Sequence, residues 1–237
     1  MEKLGDIFSR LLAPGRSRYI PEELPPVCPV CRGFGWVTRT LRIGHPDFGQ
    51  IYPCRCNLSV LPLGPSFDGF LPNNNYPDLA LAFQATRDWC RGDGPAILVL
   101  SGGVGVGKTH LARAAYKAIL GENPNSKAKW MADGELADTI RAAYSDDSWT
   151  EWKQEFKTCP WFIVDDLGST DLSDHMKSRY GEIIDWRWQG AGDKGLRTMY
   201  TTNVGPDVLG ERVKSRLLDH RRVKAIEIVA PDYRQTR

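Results

Sequence analysis

The sequence predicts an α/β fold, a parallel sheet with helices packed on both faces, and three observations carry that prediction. From Ser66 onward, apolar runs of strand length alternate with amphipathic stretches of helical length. The runs are continuous in their apolarity, the pattern of strands covered on two faces. A glycine-rich loop joins one of them, Ile97-Leu98-Val99-Leu100, directly to a helical stretch.

Taken in order, residues 3–13 carry Leu4, Ile7, Phe8, Leu11 and Leu12 at helical spacing. That helix packs either on its own domain or on a partner. Residues 21–66 are rich in Pro, Gly and Cys with little periodicity, as in a small metal-stapled module, and Pro62-Leu63-Gly64-Pro65 reads as a linker. The chain thus divides into an N-terminal helix with a small metal-stapled module (1–64) and an alternating α/β domain (65–237). In the second part the expected elements are a helix from Pro77 to Arg91, a strand at 96–100, a helix at 108–120 and a strand over Ala128–Ala132. Helices at 133–144 and 148–157 follow, then the strand beginning Trp161-Phe162-Ile163-Val164. A helix at 173–189, a strand at 197–202, a helix at 206–219 and a strand at 223–229 complete the set.

The composition, with 41% hydrophobic and 25% charged residues, is that of a globular protein, and the net charge of +2 is too small to imply nucleic-acid binding by itself. Charge is uneven, however: Glu211 to Arg237 holds eight Lys/Arg against four Asp/Glu. No stretch is apolar enough for a membrane span, and Met1 to Gly15 lacks a signal-peptide core, so a cytoplasmic location is expected. In that reducing setting the six cysteines read as metal ligands or buried thiols.

Residues 101–109, Ser-Gly-Gly-Val-Gly-Val-Gly-Lys-Thr, form the G-x-x-x-x-G-K-[ST] phosphate loop. Gly102, Gly103, Val104, Gly105, Val106 and Gly107 let successive backbone N–H groups converge on phosphates, with His110 following in the first helical turn. The helix starting near Gly107 adds its positive end. Lys108 can reach the β- and γ-phosphates and Thr109 can ligate Mg²⁺. ATP or GTP is the expected ligand. Asp165-Asp166, at the end of an apolar run, is the acidic partner: Asp165 for Mg²⁺, Asp166 to orient and polarise the attacking water. Asn203, closing the strand Thr201-Thr202, is placed to touch the γ-phosphate or hold that water. Arg216 in Glu211-Arg-Val-Lys-Ser-Arg-Leu-Leu218 is placed as an arginine finger for a neighbouring subunit's nucleotide, with Arg212 a competing candidate.

Cys28-Pro-Val-Cys31 and Cys54-Arg-Cys56, 22 residues apart, form C-x₂-C…C-x-C. Four thiolates suit a tetrahedral structural Zn²⁺, a redox pair or free thiols being the other reading. His45-Pro46-Asp47-Phe48-Gly49 reads as a turn between two short strands. Cys90 and Cys159 read as buried small hydrophobes. In residues 149–157, Trp152 and Phe156 read as core-facing, whereas Lys153 and Lys157 either line a DNA channel or lie on a solvated face.

From about Phe67 to Arg234 the chain resembles the DnaC/IstB branch of the AAA+ ATPases. The resemblance rests on Phe67-Asp68-Gly69-Phe70, the phosphate loop, Phe162-Ile163-Val164-Asp165-Asp166-Leu167-Gly168 and Ile183-Ile184-Asp185-Trp186-Arg187. It continues through Thr201-Thr202-Asn203, Ser215-Arg216-Leu217 and Asp232-Tyr233-Arg234. It implies an AAA+ P-loop core, Asn203 at the sensor-1 position and Arg216 at the finger position; the expected lack of a C-terminal lid is a departure from the family pattern. Most AAA+ proteins have Glu where this chain has Asp166, and a lid-borne sensor-2 arginine is missing, Arg234 being a candidate substitute. By the same resemblance residues 1–64, with their zinc-binding module, are the partner-recognition end. The resemblance further implies ATP with Mg²⁺, a homo-oligomer in the ATP-bound state, and a role as a DnaC-like loader of a replicative helicase on single-stranded DNA. The alternative is an IstB- or TnsC-like regulator that assembles on duplex DNA and recruits a transposase. A stand-alone nucleotide kinase fits less well, given Arg216 in a finger-like motif and the absence of an obvious lid.

Overall fold

The computed structural model describes residues 65–233, apart from 71, 73, 74 and 123–125, together with the backbone of 36–38 and 51–53. The helix expected at 3–13, Cys28, Cys31, Cys54, Cys56 and Arg234 lie outside the described residues. Strands β1 (Trp36–Thr38) and β2 (Ile51–Pro53) pair antiparallel, with Val37 opposite Tyr52. They are the two short strands expected on either side of His45–Gly49.

The main body alternates as anticipated. Helix α1 (Pro77–Cys90) leads to β3 (Ile97–Gly102), α2 (Lys108–Glu122), β4 (Ala128–Ala132), α3 (Asp133–Ser145) and α4 (Trp149–Thr158). Then come β5 (Trp161–Asp165), α5 (Asp174–Asp193), β6 (Arg197–Thr202), α6 (Glu211–Leu217) and β7 (Val223–Ile228). The starts follow local chemistry. Pro77 occupies the first turn of α1, where its missing N–H costs nothing. The Ser173 hydroxyl accepts from Met176 N and caps α5.

The five strands β3–β7 form one sheet in the order β4-β5-β6-β3-β7, with every neighbouring pair parallel. Two packed layers explain their unbroken apolarity. Ile97 and Val99 of β3, Phe162 and Val164 of β5 and Tyr200 of β6 face the core under α3, α4, α5 and α6. Their neighbours Leu98, Leu100, Ile163 and Met199 face the core under α1 and α2. Each fully buried aliphatic side chain contributes about 1.5–3 kcal/mol, so covering both faces is what stabilises the sheet.

One detail departs from the sequence reading. The helix expected over 206–219 is broken: a 3₁₀ turn at Pro206–Leu209 ends at Gly210 (φ +93°), and α6 begins after it. An α-helix cannot pass through a residue in that conformation. Within α5, Arg187 is wholly buried. Its guanidinium donates to Phe156 O, Cys159 O, Arg197 O and Thr198 Oγ1, so one side chain ties the ends of α4, β5 and β6 together. Burial holds this guanidinium below its ordinary pKa. Cys90 and Cys159 are buried as expected, and burial pushes the Cys90 thiol up to about 12, which makes it inert. Among the described residues no helix is long and apolar enough to cross a membrane.

Candidate nucleotide site

In a parallel sheet, ligands collect at the carboxyl ends of the strands. The central trio β5-β6-β3 brings three such ends together here. The phosphate loop leaves β3, Asp165-Asp166 close β5, and Asn203 follows β6 between them. The register sets their level, because Leu100 lies opposite Thr201 and Val164 opposite Tyr200.

The loop needs its glycines. At Gly102 (φ +140°) a Cβ would stand 2.4 Å from the Ile228 carbonyl oxygen, so any side chain would push β3 from β7. At Gly105 (φ +78°) a Cβ would collide with the Asp232 carboxylate, which packs on the apex of the loop beside the Tyr233 N–H donating to Gly105 O. Lys108 is almost buried, at 5% exposed. Its ammonium donates to Gly102 O (2.9 Å), Gly103 O (2.6 Å) and Asn203 Oδ1 (2.6 Å), which compensates the desolvated charge. A cavity of about 660 Å³ lies over the stretch from Val104 to His110 and is closed by Phe70, Leu79, Asp166, Asn203 and Tyr233. His110 fixes one wall through its Nε2 contact with Ser66 O (3.0 Å) and its edge on the Phe70 ring.

The acidic pair is wired to the loop. Asp165 Oδ1 accepts from Thr109 Oγ1 (3.1 Å) and from Thr201 Oγ1 (2.6 Å). The same Thr201 oxygen accepts from Asp166 N (2.8 Å), and Asn203 Nδ2 donates to Asp166 Oδ1. Asp166 has φ +64°, a conformation that costs a non-glycine residue free energy and turns its carboxylate out of the strand toward the cavity. Burial, and then the neighbouring Asp165 charge, raise the Asp166 carboxyl above the ordinary carboxylate range; Lys108 and the Asn203 hydrogen bond pull the other way. A raised carboxyl at the edge of the loop cavity is the setting expected of a base.

The donor set suits a magnesium nucleotide. It combines a carboxylate and a hydroxyl already joined by a hydrogen bond, a lysine folded into a ring of loop carbonyls, and a glycine cradle that a Cβ would fill. Thr109, Asp165, Asp166, Lys108 and Asn203 are therefore brought together. Arg216 is not: it lies on α6, its Nε on Asp185 Oδ1, and it does not line this cavity. Three contributors escaped sequence reasoning. Thr201 holds both acids, and the hydroxyl pair before Asn203 was its only signal. Phe70 and Tyr233 wall the cavity, and both were visible only as parts of longer motifs.

Residues 66–190, more than half of the chain, match the bacterial DnaA ATPase domain. The chain belongs to that family. It is thus an AAA+ ATPase of the DnaA type, the P-loop core anticipated from the motifs. Over 74 residues it is 36% identical to the chromosomal replication initiator protein DnaA of Lachnoclostridium phytofermentans, a stretch covering 30% of this chain and 16% of that initiator. The chain therefore shares only a small part of that relative's length. Among solved structures, the DnaC helicase loader is similar at a TM-score of 0.59 and 26% identity, over 70% of this chain and 97% of that one. DnaA from Aquifex aeolicus bound to AMPPCP is similar at a TM-score of 0.58 and 16% identity, over 69% of this chain and 50% of that one, which speaks to the fold.

Proposed function

We propose that the chain binds and hydrolyses ATP and acts as a DnaC-like loader of a replicative helicase on single-stranded DNA. What carries this reading is the likeness to the DnaC helicase loader across nearly the whole of that chain. Thr109 and Asp165 would hold Mg²⁺, and the loop from Gly102 to Thr109, with His110 behind it, would hold the phosphates. Bound there, Mg-ATP supplies the phosphoryl group and the metal that neutralises its charge. Asp166 is the base for the attacking water, Asn203 keeps that carboxylate aimed, and Lys108 bridges the loop to Asn203. Arg216 acts on the nucleotide of a second copy of this chain, which makes assembly a condition of hydrolysis.

Single-stranded DNA suits the surface formed by α3, α4 and α5. There Lys153 and Lys157 lie over the Trp186 ring and Tyr144 stacks on Trp149, the mixture of cations and stacking faces that single strands use. Cys28, Cys31, Cys54 and Cys56 are read as a structural zinc site of the N-terminal recognition module, testable as one equivalent of zinc lost in Cys28→Ser. The deciding experiment is affinity capture from the native host with ATP, comparing wild type with Lys108→Ala. Capture of a replicative helicase by wild type alone, with salt-sensitive binding to single strands, is expected. A transposase in its place, with ATP-dependent filaments on duplex DNA, would overturn the loader reading in favour of the transposition regulator.

A further inference from the structure

Asp185 of α5 is a buried carboxylate, 3% exposed, that faces away from the nucleotide cavity and toward α6. Its two oxygens are both taken by arginines: Oδ1 accepts from Arg216 Nε at 2.8 Å, and Oδ2 pairs with Arg212. One helical turn further along α5, the Trp188 ring carries the Arg216 guanidinium at 4.4 Å and the Arg222 guanidinium at 4.1 Å. Arg222 is itself tied down through Nη1 to Trp188 O (2.8 Å). Gly192 leaves room for it, since a Cβ there would come within 3.0 Å of the Arg222 guanidinium.

The consequence for Arg216 is geometrical. Its guanidinium is gripped at Nε and supported from one face, while its two terminal nitrogens make no hydrogen bond among the described residues. Those two nitrogens form the edge that engages phosphate oxygens in a fork. A free arginine would lose rotamer freedom on reaching a phosphate, and this one has already lost it. The charge balance points the same way. Asp185 carries one negative charge against two guanidiniums, so the cluster faces outward with positive charge in excess.

The geometry points to Asp185 as a positioning residue that, with Trp188, presets Arg216 to meet a nucleotide phosphate held by a second copy of this chain. This rests on the reading of Arg216 as a finger acting between subunits. Parking, the opposite device, would occupy the terminal nitrogens, and they are the ones left open.

The test uses ATP turnover by the full-length chain as a function of protein concentration, with ATP affinity and melting temperature measured alongside. Asp185→Ala should keep the wild-type ATP affinity of the single chain and lose assembled turnover on the order of a hundredfold, the scale of a displaced catalytic group. Asp185→Asn keeps an acceptor for Nε and should retain a substantial part of it. Mixing Asp185→Ala with Lys108→Ala should restore turnover, because the second chain supplies a well-held Arg216 to the first chain's intact loop. A fold defect would not be rescued in this way. Turnover by Asp185→Ala equal to or above wild type overturns the proposal, as does failure of that mixture while Arg216→Ala with Lys108→Ala succeeds. Failure of the Arg216→Ala mixture as well would instead sink the finger reading itself. Should Asp185→Ala not fold, Asp185→Asn and Trp188→Leu carry the same mixing test, and absence of a turnover defect in both overturns the proposal.

Discussion

Replacing Thr201 by valine keeps the size of a side chain that is 1% exposed and removes only its oxygen. That oxygen donates to Asp165 Oδ1 and accepts from Asp166 N. Its loss leaves the Asp166 N–H without its partner, at about 1–3 kcal/mol, and removes a charge-assisted bond from a buried carboxylate, at about 1.5–3 kcal/mol. The sum is roughly 2.5–6 kcal/mol, or a fall of about 5–24 °C in melting temperature for a domain of this size. Thr201→Ser keeps both hydrogen bonds and loses one methyl, at about 1 kcal/mol. Calorimetric melts of the two variants, with ATP turnover in parallel, decide the matter. If valine and serine variants melt within about 1 kcal/mol of each other, Thr201 does not hold the acids and the account of the site is wrong.

Asp166→Asn should abolish ATP turnover yet melt at or above the wild-type temperature. An acid whose pKa is raised on folding makes its ionised form destabilising at neutral pH, and asparagine removes that charge while tolerating the positive φ. For the same reason wild-type turnover should fall on acidification at a pH above the ordinary aspartate range, because the base must be ionised. Arg187→Met leaves three carbonyls and a hydroxyl without their donor and should cost at least about 3 kcal/mol in urea unfolding, with Arg187→Lys restoring little because lysine lacks the fork. Gly102→Ala forces a Cβ against the Ile228 carbonyl at positive φ and should cost at least about 2 kcal/mol and weaken nucleotide binding in a fluorescence titration.

Much of the fold was legible because its signals are local. Continuous apolar runs give strands of a two-sided sheet, the loop motif and the runs bounded by Asp165-Asp166 and Asn203 mark strand ends, and the boundaries at Ala128–Ala132 and 197–202 agree with the structure residue for residue. The break at Gly210 was harder to see, since the apolar spacing through 206–219 suits one helix and only the positive φ divides it.

What the sequence determined by itself, then, is the class of the fold and the residues that stand at strand ends, because periodicity and a phosphate loop are encoded over short stretches. Tertiary structure alone decided the strand order that sets β6 between β3 and β5, and so the direct hydrogen bonds that join Asn203 to Lys108 and to Asp166. It also decided that Thr201 serves both acids, that Arg187 is buried among carbonyls, and that Asp185 grips Arg216 across 31 residues of chain. Such pairings depend on which surfaces are desolvated together, and no local spacing records that.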